Sequence, residues 1–300
     1  LSGAKGGMEL LPESELAQIK SDIGQDLQRI PGGSAGNTIF ALARLGISTG
    51  FIGKIGNCAS GRYYKETLAQ YGGNTDSLKE GSTQNGNCLS LVTPDGERTM
   101  RTALGAAIEL SEDELSDADF KHFDHLHIEG FMIHNPKVLK KSLQLAKSNN
   151  CTVSFDLASF EIVNQSKKAL EHLLENSVDM VFANEEEAAA FTERPLSEAK
   201  ASAEILHELC PTAVVKLGAE GCIIASDQTL HHSEAIHVDS VIDTTGAGDF
   251  WAAGFLHGWA QQKSITESAR RGALLGSSVI QNHGATLEES QWAEILEQIQ

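Results

Sequence analysis

Basic residues are scarce in this chain of 300 residues, which has 23 Lys and Arg against 41 Asp and Glu and a formal net charge of −18. A nucleic-acid surface needs a patch or stripe of positive charge, and the Lys and Arg residues do not cluster. We therefore expect no nucleic-acid partner. We also expect no membrane partner, because no apolar run approaches the roughly 20 residues that span a bilayer.

Cysteine is also sparse, and its spacing follows no pattern. An odd number without a Cys-x-x-Cys pair favours reduced thiols and a cytoplasmic protein over a disulfide framework. The five cysteines are Cys58, Cys88, Cys151, Cys210 and Cys222. No signal peptide is visible. The chain opens at Leu1, with no apolar strand before the polar segment 12–29, so we expect a first strand of the fold to be missing.

Three familiar site motifs are absent. No Gly-Lys-Ser/Thr follows a glycine loop, so neither a P-loop nor a dinucleotide fingerprint is supported. No HExxH spacing or partnered cysteine set indicates zinc. The histidines are better explained as loop and strand-edge residues; they include His122, His125, His127, His231 and His232.

Strand and helix patterns alternate after residue 120, which predicts an α/β fold with a mostly parallel sheet and helices on both faces. The predicted strands are 50–55, 125–129, 151–156, 179–183, 212–217 and 221–225. The predicted helices are 36–46, 60–71, 136–148, 164–176, 185–192, 197–209, 248–261, 265–281 and 288–299. Ligands of such sheets bind at the carboxyl ends of the strands. We predict one domain over residues 1–300.

Segment 72–104 has a different composition, rich in Gly, Asn, Ser and Thr. Its apolar stretches 88–93 and 97–102 flank Pro94-Asp95-Gly96, which predicts a β-hairpin. Low apolar content suggests a small sheet that stands off the main body as a lid. We predict lid segments within 1–30 and 72–104.

The most informative string is DTTGAGD at 243–249, followed by the apolar stretch 250–260. A small-residue turn that leads into a helix N-terminus makes an anion site, because backbone N–H groups there lack partners. A carboxylate at that point would repel a phosphate unless it takes a proton from the attacking group. The alternative is an ordinary helix start in which Asp249 is the N-cap.

A second glycine-rich helix entry, GGSAGN, lies at 32–37. Such an entry can bring backbone and an amide side chain against a polar ligand, whereas the alternative is a flexible loop with Asn near the cap. With the residues that follow each string, the two resemble the N- and C-terminal signatures of the ribokinase and adenosine kinase family of carbohydrate kinases (the pfkB family). The resemblance covers the chain from residue 31 onward. It implies a ribokinase-like three-layer α/β/α sandwich with a small β-sheet lid.

The resemblance also implies roles for residues of both strings. Asp249 would be the catalytic base, and the turn of Gly246, Ala247 and Gly248 would be the anion hole for the transferred phosphoryl group. The residues that would contact acceptor hydroxyls are Gly32, Gly33, Asn37 and, at a strand end, Glu129. Asp243 and Thr245 resemble the residues that bind a monovalent cation such as K⁺ in some members.

Nucleotide and metal roles fall on three further segments. Asn184 and Glu187 lie one helical turn apart, so they share a face and could hold a hydrated Mg²⁺, although a solvated cap is the usual explanation. By resemblance, Lys216, Gly218 and Gly221 would lie beside the ATP phosphates and ribose. The family commonly has Thr where this chain has Lys216, which leaves open whether that side chain reaches phosphate or solvent. By resemblance, Gly284 and Ala285 would line the adenine pocket, with Asn282 and His283 as neighbours.

These observations predict an ATP- and Mg²⁺-dependent kinase for a primary hydroxyl of a sugar or nucleoside, most similar to the adenosine kinase branch. One alternative is a non-catalytic sensor of nucleotide or sugar. Another is a kinase for a phosphorylated sugar or a vitamin precursor, for which Arg98 and Arg101 near the lid would supply positive charge. The family's first strand carries an Asn/Asp pair that contacts the acceptor, and it is not in this sequence. We expect a monomer, or a homodimer formed through the lid.

Overall fold

Parallel strands with intervening helices form the larger part of the molecule. This computed structural model describes residues 8–24, 27–92 and 98–299. The strands are β1 Met8–Leu10, β2 Gly53–Gly56, β3 Leu78–Gly81, β4 Asn87–Val92, β5 Arg98–Ala103, β6 His125–Glu129, β7 Thr152–Asp156, β8 Met180–Asn184, β9 Thr212–Lys216, β10 Cys222–Ser226 and β11 Thr229–Ser233. The α-helices are α1 Glu13–Ile23, α2 Ser34–Arg44, α3 Ala59–Gln70, α4 Pro136–Ser148, α5 Phe160–Ser177, α6 Glu185–Thr192, α7 Ala199–Leu209, α8 Ala247–Ala260, α9 Ile265–Val279 and α10 Glu289–Gln298.

The central sheet has six strands in the order β11-β10-β9-β8-β7-β6. Strands β6 to β9 pair parallel with one another, and β10 pairs antiparallel with both β9 and β11. The prediction of a mostly parallel sheet is therefore confirmed. The four parallel strands end on Glu129, Asp156, Asn184 and Lys216. Glu129 pairs in register with Asp156, and Asn184 with Lys216. Four polar side chains therefore lie along one edge of the sheet.

Hydrophobic side chains pack on both faces of this sheet. Successive residues of a strand point to opposite faces, and β8 shows it. Its Val181 and Ala183 belong to one buried cluster with α5 and α7, whereas Met180 and Phe182 belong to another with α8 and α9. The result is the predicted three-layer α/β/α arrangement. None of the helices in the described part of the chain is both long and apolar enough to cross a membrane.

A second sheet of three strands, in the order β1-β5-β4, lies outside the central sheet. Strands β4 and β5 pair antiparallel, as the hairpin prediction requires, while the turn at Pro94-Asp95-Gly96 lies outside the described residues. Helix α1 covers this sheet, since Leu16 packs against Leu89 and Ala103. A lid segment within 1–30 was predicted without its elements, which are β1 and α1; the helix was not specified because segment 12–29 is polar apart from one narrow apolar stripe. The action of this sheet as a lid stays a prediction.

Several predicted boundaries shift for local reasons. Helix α5 begins four residues before the predicted 164, because the Ser159 hydroxyl accepts a hydrogen bond from the Ile162 N–H and caps the helix there. The predicted helix 197–209 consists of a 3₁₀ turn at Leu196–Glu198 followed by α7. Strands β3 and β11 are additions to the prediction, and β2 starts three residues later than expected.

Candidate active site

A cleft of about 2320 Å³ runs along the carboxyl edge of the parallel strands and extends under the three-stranded sheet. Nearly all of the predicted site residues line it: Gly32, Gly33, Asn37, Glu129, Asn184, Glu187, Lys216, Gly218, Gly221, Asp243, Thr245, Gly246, Ala247, Gly248, Asp249, His283 and Gly284. The exception is Asn282. Its amide donates to the Ser278 carbonyl at 3.0 Å in the preceding helical turn, so the side chain does not reach the cleft.

The DTTGAGD string forms the turn into α8. Gly246 is the N-cap of the helix and has φ 75°, a conformation that favours glycine, and a Cβ there would collide with Ala285. The alternative in which Asp249 is the N-cap is wrong, because Asp249 lies inside the first turn. The N–H of Ala247 donates to the Thr244 carbonyl at 3.2 Å. The turn of residues 246–248 therefore meets the helix N-terminus at the cleft wall.

The half-buried Asp249 carboxylate is held by two side chains of α2. Ser34 Oγ donates to Oδ1 at 2.9 Å, and Asn37 Nδ2 donates to Oδ2 at 2.8 Å. Burial raises the pKa of Asp249 to about 6, with help from the Asp156 charge, while the two hydrogen bonds act in the opposite direction. Asp249 is therefore largely ionised at neutral pH, with a pKa that suits a proton acceptor.

Ser34 was absent from the predicted site. It lies three residues before Asn37, so the two share one face of α2 and both reach Asp249. Helical spacing within the GGSAGN string was the signal that could have found it. The Asn37 Oδ1 atom is buried and has no hydrogen-bond partner in the described part of the chain.

Asn184 and Glu187 form a reciprocal cap at the start of α6. Both Glu187 oxygens accept from Asn184, from its backbone N–H at 2.8 Å and from Nδ2 at 2.9 Å, and the Glu187 N–H donates to Asn184 Oδ1 at 2.8 Å. Burial, together with the Asp156 charge, raises the pKa of Glu187 to about 7. The pair shares one helix face, as its spacing predicts.

Lys216 points into the cleft rather than toward solvent. Its Nζ lies 3.1 Å from Asp156 Oδ2, and both side chains are about nine-tenths buried. A Cβ built on Gly248 would lie 3.1 Å from the same Nζ, so the ammonium is adjacent to the 246–248 turn. Burial alone would lower the pKa of Lys216, but the carboxylates of Asp156, Glu187 and Asp249 more than offset it and raise the pKa. Lys216 is therefore a cation at neutral pH.

Asp156, the last residue of β7, was absent from the predicted site. Its second oxygen accepts from the Ala158 N–H at 2.9 Å, which fixes the carboxylate at the turn after β7. The position at the carboxyl end of a parallel strand was the available signal. Recognition of the pair with Lys216 needed the strand order, because Asp156 ends β7, Lys216 ends β9, and β8 lies between these strands in the sheet.

Glu129 completes the row of strand-end side chains. Its Oε2 accepts from the Ala35 N–H at 3.1 Å, which ties β6 to the first turn of α2. Burial raises the pKa of Glu129, and the Asp156 charge adds to this. The Tyr64 hydroxyl lies beside Gly36 in the same region.

Asp243 joins two loops of the cleft. Its Oδ1 accepts from the N–H and hydroxyl of Thr245 at 2.9 and 2.6 Å, and its Oδ2 accepts from the Gly284 N–H at 2.8 Å. The carboxylate thus holds the segment that leads into the 246–248 turn against the predicted adenine loop. Gly221, at φ 90°, has a structural reason to be glycine, because a Cβ there would collide with the Ser233 carbonyl of β11.

The strand-end part of the cleft is rich in carboxylates. Asp156, Glu187 and Asp249 act on the ammonium of Lys216, while Lys20, Arg29 and Lys54 also line the cleft. No group of three or more His, Cys, Asp or Glu side chains suited to hold a metal occurs among residues 8–24, 27–92 and 98–299. A polyanionic ligand would therefore enter together with cations of its own.

Comparison with known proteins identifies relatives over the length of the chain. Residues 9–292 match the pattern of the pfkB family carbohydrate kinase. An "uncharacterized sugar kinase" of Archaeoglobus fulgidus is 28% identical over 244 residues, 81% of this chain and 96% of that protein. The ribokinase of Haemophilus influenzae is 27% identical over 270 residues, 87% and 85% of the two chains. The crystal structure of adenosine kinase from Sinorhizobium meliloti has a TM-score of 0.89 at 27% identity, covering 99% of this chain and 91% of that chain.

Proposed function

Because the chain belongs to the pfkB family of carbohydrate kinases, we propose that it transfers the γ-phosphoryl group of ATP to a primary hydroxyl of a sugar or nucleoside. The observation that carries this proposal is the Asp249 carboxylate in the first turn of α8, held between Ser34 and Asn37 at the cleft wall. No other described carboxylate combines a helix N-terminus, a glycine turn and a place at the centre of the cleft.

Asp249 acts as the general base. The acceptor hydroxyl approaches its carboxylate, gives up its proton as the new bond to phosphorus forms, and leaves Asp249 protonated until product release. A pKa of about 6 keeps the group ionised at neutral pH without making it too weak a base. Loss of a general base costs on the order of 10²–10⁴ in rate.

The backbone of the 246–248 turn stabilises charge on the transferred group. The N–H groups at the start of α8 and the helix dipole favour an anion there, and Gly246 and Gly248 let the phosphoryl oxygens come close to the backbone. Positioning and electrostatics supply most of the rate enhancement in phosphoryl transfer.

Mg²⁺ fits the residues present. Asn184 and Glu187 offer oxygen atoms at the cleft wall, and a hydrated Mg²⁺ needs few protein ligands. The surrounding carboxylates make a cation necessary beside a nucleotide triphosphate. Mg²⁺ would offset phosphate charge when bound, and Glu187 and Asn184 would orient its water shell. A monovalent cation at Asp243 and Thr245 remains a hypothesis, which activity independent of K⁺ would remove.

A nucleoside is the acceptor class that we favour. The strings at 31–38 and 97–107 resemble those of adenosine kinases, and a similar structure is an adenosine kinase. The phosphosugar alternative loses part of its basis, because the Arg101 side chain is almost fully buried and donates to the Met100 carbonyl rather than facing the cleft. The side chain of Arg98 lies outside the described residues. The reduced thiols favour a cytoplasmic site of action.

A coupled ADP-release screen tests the proposal. The acceptors are adenosine, inosine, ribose, fructose and fructose 6-phosphate, each with ATP and Mg²⁺. We expect ADP production with adenosine or inosine to exceed that with the sugars. A thermal shift with ATP, but no ADP release with any acceptor, would support the sensor alternative and contradict the kinase. Strongest turnover with fructose 6-phosphate would keep the kinase and correct its acceptor.

A further inference from the structure

The Lys216–Asp156 pair is the most unusual charge arrangement in the cleft. A buried ion pair is weak evidence for a stabilising role, because the desolvation of two charges offsets most of their attraction. Lys216 also faces Glu187 and Asp249, so it is attracted to more than one carboxylate. An ammonium with several nearby partners can move from one to another at small cost. An ion pair with a purely structural role would not require further carboxylates beside the lysine.

A second lysine–aspartate pair elsewhere in the molecule offers a contrast. Lys79 Nζ lies 2.8 Å from Asp119 Oδ1, and Asp119 also caps a 3₁₀ turn through Ser116. Neither Lys79 nor Asp119 lines the cleft. That pair has a structural task and no adjacent anion site, whereas Lys216 lies beside the 246–248 turn.

We propose that Lys216 is a catalytic residue that exchanges Asp156 for the phosphoryl group in transfer, and that Asp156 is the positioning residue that holds the ammonium beside the 246–248 turn. This inference rests on the phosphoryl transfer proposed above. A Cβ built on Gly248 would lie 3.1 Å from the Nζ, so the ammonium is adjacent to the turn, and a small movement of this flexible side chain would bring it to a phosphoryl oxygen held there. Asp156 stays fixed by the Ala158 N–H during that movement.

The group transfer balances with no further reactant. The acceptor oxygen forms a bond to the γ-phosphorus, the bond from that phosphorus to the β–γ bridging oxygen breaks, and ADP leaves with the electron pair. The acceptor proton goes to Asp249. Lys216 stays protonated throughout. In the transition state it donates hydrogen bonds to the phosphoryl oxygens in place of its ground-state contact with Asp156.

Kinetics of Lys216→Met and Asp156→Asn test the inference. Loss of one donor to the developing charge costs on the order of 10²–10³ in kcat, so we expect a fall of that size in K216M. The KM for the acceptor and the Kd for ADP should change by no more than about threefold, because the ammonium contacts only the transferred group. In D156N, which keeps the ammonium but loses its holder, we expect a smaller fall in kcat, of about tenfold.

The double variant Lys216→Met/Asp156→Asn separates the two roles and guards against misfolding, because it removes both buried charges together. If Asp156 acts through Lys216, the double variant should have the kcat of K216M, with no further loss. Lys216→Arg keeps the charge and should retain more activity than K216M. The matched control is Lys79→Met, which should lower Tm but leave kcat within about twofold.

Three results would overturn the inference. A kcat in K216M within about threefold of the wild type would remove the catalytic role of Lys216. Multiplied losses in the double variant would remove the positioning role of Asp156. A KM for ATP that accounts for the whole effect of K216M would make Lys216 a ground-state binder. If the wild type turns over and D249N does not, these outcomes concern only this inference; if the wild type releases no ADP, the proposed function itself fails.

Discussion

The carboxyl groups of the cleft and those of the outer surface respond to the fold in opposite ways. In the cleft, burial raises the pKa of Glu187 to about 7 and that of Asp249 to about 6. On the surface of α9, hydrogen bonds from Arg270 lower the pKa of Glu267 to about 2, and Arg271 adds to this. The ionised form of a carboxyl group is thus disfavoured in the cleft and favoured on the surface of α9.

The raised and the lowered pKa values have opposite consequences for stability as the pH changes. A folded-state pKa above the ordinary value means that the native state binds the extra proton, so Glu187 and Asp249 stabilise the unliganded fold less and less as pH rises from about 4 to about 7. A lowered pKa has the opposite sign, and the contribution of Glu267 is lost as pH falls from about 4.5 to about 2.

The largest expected effect comes from removal of the Asp249 charge. Asp249→Asn should lower kcat by about 10²–10⁴, because the acceptor proton loses its base. ATP binding, measured by calorimetry, should change little. The control Asp239→Asn removes an exposed charge outside the cleft and should keep full activity. A near-normal kcat in D249N would contradict Asp249 as the base, and the cleft and surface carboxylates would then not differ in their effect on activity.

Glu187→Gln tests whether the second cleft carboxylate serves the metal. Substitution of a residue that orients metal-bound groups costs about 10–100-fold in metal affinity or activity, so the Mg²⁺ concentration for half-maximal rate should rise by that factor. Titration of the initial rate with Mg²⁺ at fixed ATP measures it. The Glu267→Gln variant is the matched surface control, and an equal Mg²⁺ requirement in the two variants would contradict a metal role for Glu187.

Ser34→Ala should shift the pH profile rather than abolish activity. The Ser34 hydroxyl favours the ionised form of Asp249, so its loss should raise the pKa of that carboxyl and move the acid limb of the rate to higher pH. The rate well above the limb should fall by no more than about tenfold. Initial rates between pH 5 and 8.5 measure both quantities, and a limb that moves to lower pH would show that Ser34 does not act on Asp249.

The smallest effects are on stability. Glu267→Gln should lower Tm at pH 7 by about 2–4 °C, and less at pH 3, where the wild-type carboxylate is losing its ionised form. Glu187→Gln should instead flatten the decline in Tm of the unliganded protein between pH 5 and 8. Differential scanning calorimetry across pH compares them. Parallel curves for the two variants would mean that cleft and surface carboxyls do not differ.

The part of the site that lies in continuous strings was predictable from sequence. The DTTGAGD and GGSAGN turns, the Asn184–Glu187 spacing and the order of strands and helices all depend on local pattern, and the structure brings these residues to one cleft. Contacts between distant segments were not predictable in the same way. Asp156 meets Lys216 only because β7 and β9 flank β8 in the sheet. No local sequence pattern around either residue indicates the other as its partner.

The polar composition of residues 12–29 did not indicate the helix α1 that forms there. Residues 12–29 are polar overall, but Leu16 is almost fully buried on the three-stranded sheet, with Ile19 and Ile23 packed nearby. A stripe of three apolar residues at helical spacing covers a small sheet, although it would be too narrow for a core helix. The Asn282 side chain is likewise held locally, since its amide donates to the Ser278 carbonyl one turn back, and it does not line the cleft.

The pH dependence of phosphoryl transfer, at saturating ATP and Mg²⁺ in the wild type and in D249N, tests the central claim most directly. The account predicts a wild-type rate that falls with acid around pH 6, and a residual D249N rate without that limb. A wild-type rate that is flat from pH 5 to 8, or a limb that persists unchanged in D249N, would contradict Asp249 as the base.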